Sequence, residues 1–246
     1  MTTKILKSLF IFTVFGYFMG CSSADKNSNT PEGLFKIAQE YDDAERYEIA
    51  LQKYADVKNK FPYSSYATSA ELAVADVHYK RESFAEAQIA YQNFRDLHPK
   101  HPKIDQVIFK TGMSFFQQLP ETIDRDLTLA NDAIYSFNEI VKNYPKSEFA
   151  IEAKEKRDKC YVMLAEKELY IGDYYLLHES YEASLNRYEI MLAKYPALGL
   201  DPKALLGAAR AAAKADNDSK KQKYIEILTS KYANSDEAKL LKSKGL

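Results

Sequence analysis

Four times along the chain a small residue is followed by an aromatic at i+4, an apolar residue at i+7 and a proline at i+12. The copies are Ala50, Tyr54, Val57, Pro62; Ala87, Tyr91, Phe94, Pro99; Ala133, Phe137, Ile140, Pro145; and Ser184, Tyr188, Met191, Pro196. A worn fifth copy reads Lys220, Tyr224, Ile227, Tyr232. The first three positions share one face of a helix. The proline ends that helix, because the residue before a proline is pushed out of helical dihedrals. A helix with one apolar stripe cannot bury it alone, so repeated copies must stack. The pattern predicts an all-α, tetratricopeptide-like solenoid of about five helix pairs.

Each second helix has a predicted partner before it. Leu34, Ile37, Ala38 and Tyr41 mark the first helix of pair one, ahead of a second helix over 47–60. Leu72, Val74, Ala75 and Tyr79 do the same for pair two, ahead of 84–97. Pair three opens over about 104–118 and is interrupted by Pro120 and the stretch Glu121 to Asp126. Pair four has an extended first helix over about 148–175 and a partner over about 180–194. Asp201-Pro202 reads as an N-cap followed by a proline in the first helical position, opening pair five at Lys203. The repeat aromatics are 37, 46, 51 and 36 residues apart, so the middle pairs carry insertions.

The N-terminus is of another kind. Lys4 and Lys7 precede an almost unbroken apolar run from Leu9 to Met19. That run is far short of the roughly 20 residues that span a bilayer, so residues 1–20 read as a signal peptide. Phe18-Met19-Gly20-Cys21 departs from the usual lipobox, which prefers Leu at −3 and a small residue at −2. It still places a cysteine where a bacterial lipoprotein is acylated, and Cys21 is the expected lipidation site and membrane anchor. Ser22 follows rather than the Asp of inner-membrane retention, which favours the outer membrane, periplasmic side. Residues 21–32 are polar and read as a tether that extends about 35–40 Å. Residues 33–145 then hold repeats one to three, and 146–246 hold repeats four and five.

Composition removes several function classes. Lys plus Arg is 34 against 35 for Asp plus Glu, so no nucleic-acid partner is expected. Low Gly, at 8 residues, and regularly placed prolines fit helices with short turns. There is no Gly-rich phosphate loop, nucleophile elbow or paired-acid motif, so neither an enzyme nor a cofactor is expected. His98 and His101 sit in a proline-bounded turn without an acid or cysteine pair, so no metal is expected there. His98 also occupies the place that Phe61, Tyr144 and Tyr195 take in other copies, which points to packing. With Cys21 acylated, Cys160 stands alone among apolar neighbours and reads as a buried small residue. Nineteen Tyr and 13 Phe fill the core and leave enough to line a peptide-binding face.

An ordered set of short words carries a more specific likeness. Phe61-Pro62-Tyr63-Ser64-Ser65-Tyr66 follows repeat one, and Leu97-His98-Pro99-Lys100-His101-Pro102-Lys103-Ile104-Asp105 follows repeat two. Arg125-Asp126, Tyr144-Pro145-Lys146-Ser147-Glu148-Phe149-Ala150, Ala165-Glu166-Lys167-Glu168, Tyr174-Tyr175 and Asn186-Arg187 come after them. From residue 33 to about 230 the chain resembles the BamD family, tetratricopeptide lipoproteins of the outer-membrane β-barrel assembly machine. The resemblance implies a scaffold that binds the periplasmic POTRA region of BamA and helps receive and insert unfolded outer-membrane proteins. Other lipoproteins of that machine are further candidate partners. It implies partner contacts at Tyr175, Asn186 and Arg187, and a client groove at Tyr63, Ser64, Tyr66 and Asp105. Read from the residues alone, Arg187 is an ordinary exposed arginine beside core-facing Tyr188. The chain departs from the family at Ala211-Ala212, where Ala-Tyr is frequent. The competing reading is a soluble periplasmic tetratricopeptide coordinator of cell-wall synthesis or division.

Overall fold

The structure, a computed structural model, describes residues 28–244. The signal segment, Cys21 and most of the expected tether lie outside the described residues. Among the described residues there are eleven helices and no strand. They are α1 (Pro31–Asp43), α2 (Tyr47–Lys60), α3 (Ser65–Lys80), α4 (Phe84–Leu97), α5 (Ile104–Gln117), α6 (Thr128–Asn143), α7 (Ala150–Leu177), α8 (Tyr181–Lys194), α9 (Asp201–Lys214), α10 (Asp218–Lys231) and α11 (Asp236–Lys244). Each packs antiparallel on the next through α10, which is the tetratricopeptide arrangement. The first helices of successive pairs also touch, α1 on α3, α5 on α7 and α7 on α9, and so form the inner layer. None of the described helices is long and apolar enough to cross a membrane.

The repeat phrase is the core. Ala50, Val57, Ala87, Tyr91, Ala133, Phe137, Ile140, Ser184 and Met191 are fully buried, with Tyr54, Phe94 and Tyr188 at most 2% exposed. Sixteen residues before the aromatic stands a small residue on the first helix of the pair: Ala38, Ala75, Gly172 and Ala208 in pairs one, two, four and five. In pair three Gly112 plays that part, where a Cβ would come within 2.7 Å of Phe137 Cε1. In pairs three and four, where Gly112 meets Phe137 and Gly172 meets Tyr188, small against aromatic is the contact that holds the helices at close approach.

Turns within pairs are built alike. Glu45, Glu82, Glu179 and Asp216 adopt φ of +56°, +60°, +60° and +54°. The next amide returns to a carbonyl five residues back: Arg46 N–H to Tyr41, Ser83 to His78, Ser180 to Tyr175 and Asn217 to Ala212, at 2.8–2.9 Å. This is the Schellman closure, with an acidic residue at the left-handed position that glycine usually takes. Between pairs, Phe61, His98, Tyr144 and Tyr195 share φ near −130° and ψ near +50°, each ahead of a proline. The shared cap geometry accounts for the alignment of His98 with aromatic residues. Its ring lies 4.8 Å from that of Phe94, and Nε2 is 2.6 Å from Glu71 Oε2.

The two insertions have separate physical homes. The 46-residue interval exceeds 37 by nine and is taken up by the loop 118–127 between α5 and α6. The 51-residue interval exceeds 37 by 14, half the length of the 28-residue α7. The first half of α7 packs with α6, and its second half packs with α8 and α9. One apolar cluster therefore ends at Leu164 and another begins at Ala165, within a single helix. A third cluster joins α1, α2 and α3.

Four expectations differ in detail. Helix α1 begins at Pro31, inside the expected tether, because the Thr30 hydroxyl accepts from Gly33 N–H and Pro31 presets the first turn. Asp201 is the first residue of α9 rather than its cap; its buried carboxylate accepts from Ala197 N–H at 3.0 Å. In the fifth copy the fully buried apolar residue is Leu228, and Ile227 lines an open cleft instead. After pair five the described residues continue in the nine-residue α11, which lies on α9 and α10 through Ala238, Leu240 and Leu241. That closing helix was not read from the sequence.

Candidate functional site

The inner faces of α1, α3 and α5 enclose a cavity of about 380 Å³. Its walls are laddered with opposite charges. Lys80 Nζ donates to both carboxylate oxygens of Asp42, at 2.7 and 2.8 Å. One helix further on, Lys110 Nζ donates to Asp76 Oδ1 at 2.6 Å, and the same oxygen accepts from Tyr91 O–H at 2.6 Å. Burial, then the Asp76 charge, pushes the Tyr91 hydroxyl far above its ordinary range, so it stays a donor. Burial and Asp42 act the same way on Tyr54, which lines the cavity floor. Phe35 supplies an aromatic edge, 5.4 Å from the Tyr54 ring and 5.6 Å from Tyr66. Lys103 stands at the rim.

Such a groove suits an extended peptide. Its charges are satisfied within the protein at rest, and each partner can be exchanged for a backbone or side-chain group of a ligand. The aromatic edges take apolar side chains without demanding one sequence.

The sequence-derived client residues sit at the ends of helices near this cavity and outside its lining. Tyr63 is fully exposed in the turn before α3. Ser64 caps α3: its hydroxyl accepts from Ala67 N–H at 3.2 Å and donates to Phe61 O at 2.9 Å. Tyr66 reaches the groove through Phe35. Asp105 lies in the first turn of α5 and accepts from Gln106 N–H at 2.9 Å. Phe35, Asp42, Lys80 and Lys110 were not singled out from sequence. Asp42 and Lys80 are 38 residues apart, and nothing local marks them as a pair. Asp76 did leave a signal, because an Asp stands fifteen residues before the tyrosine in both pair two and pair four. The second instance is Tyr188 O–H donating to Asp173 Oδ1 at 2.6 Å.

The residues expected to face a partner lie on α7 and α8, in the second half of the chain. Asn186 is exposed on α8. Arg187 is partly exposed, and its Nη1 is 3.2 Å from Oε2 of Glu168, the residue seven before Tyr175 on α7. Tyr175 is half-buried with its ring 5.8 Å from Tyr174. The arginine is therefore held by α7 at the α7–α8 seam, with donors left over for another acceptor. Cys160 is fully buried, and burial pushes its thiol up to about 12, which leaves it unreactive at neutral pH.

The profile of the YfiO family, described as "Outer membrane lipoprotein", matches residues 27–236. "Outer membrane protein assembly factor BamD" of Neisseria gonorrhoeae is 27% identical over 70% of this chain and 70% of its own length. The protein of the same name from Vibrio cholerae is 26% identical over 72% of this chain and 78% of its own. That of Rickettsia prowazekii is 24% identical over 94% of both chains. With its profile matched along most of its length, the chain belongs to the YfiO family of outer-membrane lipoproteins.

Proposed function

We propose that this protein is a non-enzymatic scaffold subunit of the outer-membrane β-barrel assembly machine, acylated at Cys21 and held on the periplasmic face of the outer membrane. In this reading the α1–α3–α5 groove receives an extended segment of an unfolded outer-membrane protein, with Tyr63, Ser64, Tyr66 and Asp105 at its mouth. Tyr175, Asn186 and Arg187 at the α7–α8 seam meet the periplasmic POTRA region of BamA. Other lipoproteins of the machine join the same complex. The supporting observation is the self-paired ladder of Asp42–Lys80 and Asp76–Lys110 beneath Phe35 and Tyr54, a peptide-sized groove in a member of an outer-membrane lipoprotein family. Lipid tethering and docking on BamA together raise the concentration of bound client where it is inserted.

The deciding experiment is affinity capture from detergent-solubilised envelopes, with wild type compared with Arg187→Glu. A charge reversal at an interface costs about 2–5 kcal/mol of binding, whereas a surface helix substitution shifts stability by under about 0.5 kcal/mol. Capture of BamA should collapse while the thermal melt stays in place. Undiminished capture would remove Arg187 from the interface. Capture of cell-wall synthases in place of BamA would favour the coordinator reading.

A further inference from the structure

A second cleft, of about 530 Å³, opens between the α5–α6 loop, the second half of α7 and the start of α9. Its charge is the reverse of the first groove's excess of lysine. Glu121 and Asp124 of the loop and Glu166 and Asp173 of α7 line it, with Lys203 as the one cation among its lining residues. Alongside the acids runs an uncovered apolar row. Tyr170, Tyr174 and Leu177, at i, i+4 and i+7 of α7, are 48%, 51% and 80% exposed, and His178 stacks on Tyr174 at 4.1 Å. A helix face with two tyrosines and a leucine in solvent, bordered by carboxylates, matches a ligand that carries cations among apolar groups. Tyrosine faces attract guanidinium, and the carboxylates supply the counter-charge. The loop is fixed in place for this, since Lys167 of α7 donates to the Arg125 carbonyl.

We infer that this cleft holds a second stretch of unfolded client polypeptide, one bearing arginine or lysine between apolar residues; the inference rests on the client-groove reading above. A client is the occupant because the cleft is walled by α7 and α9, first helices of the same inner layer that carries the α1–α3–α5 groove. Of the residues assigned to the partner subunit, Asn186 and Arg187 stand on α8, and Tyr175 is half-buried on α7 beside Tyr174, at the end of this row away from the cleft. One chain passing along the inner surface would meet a lysine-rimmed groove at one end and an acidic, tyrosine-edged cleft at the other. The solenoid thereby selects extended segments by the order of charge along them as well as by apolar content.

The test measures binding of two fluorescent peptides to the full chain by anisotropy. Both alternate apolar and polar residues; one carries two arginines at polar positions, the other two glutamates. With the first groove disabled by Lys110→Glu, the chain should bind the arginine peptide at least tenfold more tightly than the glutamate peptide, with the advantage lost in high salt; the comparisons below are made on that background. Glu166→Lys with Tyr170→Ser should abolish the advantage, and Lys203→Met should increase it about threefold. The Lys203→Met arm serves if the double variant folds poorly. Equal binding of the two peptides, or an arginine advantage unmoved by either variant, overturns the inference. If Lys110→Glu alone abolishes binding of both peptides, this cleft is idle while the client-groove reading stands. If neither peptide binds wild type, both readings fall. If the double variant loses a partner subunit from envelope captures but keeps its peptide preference, the occupant is that partner and the inference is wrong.

Discussion

Pairs two and four are built on the same plan and finished differently. Both close with a left-handed glutamate, Glu82 and Glu179, and both bury a tyrosine that donates to an aspartate fifteen residues back. In pair two that aspartate, Asp76, also accepts from Lys110 and becomes a rung of a neutral ladder. In pair four Asp173 has no lysine of this kind and looks into an acidic cleft. The tyrosines differ as well. A Cβ on Gly172 would lie 2.8 Å from Tyr188 Cε1, and one on Gly207 only 2.5 Å from its Cζ, so two helices press on this ring. Gly207 belongs to α9, the first helix of pair five, so the second contact on Tyr188 comes from the following pair. The shared positions specify how helices stack, and the positions beside them specify what each inner surface can bind.

The largest expected effect tests the shared part. Tyr91→Ala and Tyr188→Ala each remove a fully buried ring and should each cost about 3–5 kcal/mol, read as a large drop in melting temperature. Neither strands a buried charge, because Asp76 keeps Lys110 and Asp173 is exposed. The two losses should therefore agree within about 1 kcal/mol, inside ordinary context scatter. A wide gap would mean that the finishing residues also carry stability. Gly207→Ala tests the part that differs. Alanine improves helix propensity by about 1 kcal/mol, but its methyl would collide with a ring held on both sides. Overpacking costs about 1–3 kcal/mol, so a net loss is expected; a higher melting temperature would show that Tyr188 has room to move.

Smaller, and opposite in sign, is the turn substitution common to both pairs. Glu82→Gly and Glu179→Gly relieve a left-handed non-glycine residue, a strain of about 1–2 kcal/mol, partly offset by the entropy glycine loses on folding. Each should stabilise by under about 1 kcal/mol in chemical denaturation. Destabilisation at either position would show that the carboxylate itself contributes to its turn.

Most of the stack was legible because its signal is periodic. Small–aromatic–apolar–proline marks the second helix of pairs one to four, and interval lengths even exposed the insertions. What periodicity does not encode is where surplus residues go. The nine-residue surplus became a loop and the 14-residue surplus a helix extension, since Ala150–Leu177 has no internal proline while Pro120 stops α5's continuation. Residues with roles local to a turn, such as Ser64, were visible as motif words, and the structure gives Ser64 a capping bond. The charge ladder was invisible, because Asp42–Lys80 and Asp76–Lys110 join residues 38 and 34 apart through stacking. The worn fifth copy misled at Ile227 because the short α11 packs through Ala238, Leu240 and Leu241 and leaves Ile227 lining the open cleft.

The smallest effect separates the halves by pH. His78 of α3 has its Nδ1 buried without a hydrogen-bond partner. Burial first, then the nearby Arg81 charge, lowers its affinity for a proton, against a weaker opposing pull from Glu86 and Glu48. The sign follows from linkage. Above pH 6.5 the ring is neutral in both folded and unfolded chains and contributes no pH dependence. As pH falls through 6.5 towards the lower folded value, the unfolded chain takes up a proton that the folded one resists, so stability declines. Half-buried His101 is shifted in the same direction, by burial first and then by His98 and Lys103. Both histidines lie in the first half of the solenoid. His78→Gln should therefore flatten the fall in melting temperature between pH 7 and pH 5.5 while leaving the pH 8 value nearly unchanged. Melting curves of wild type and variant that stay parallel across that range would show that His78 binds its proton equally well in both states.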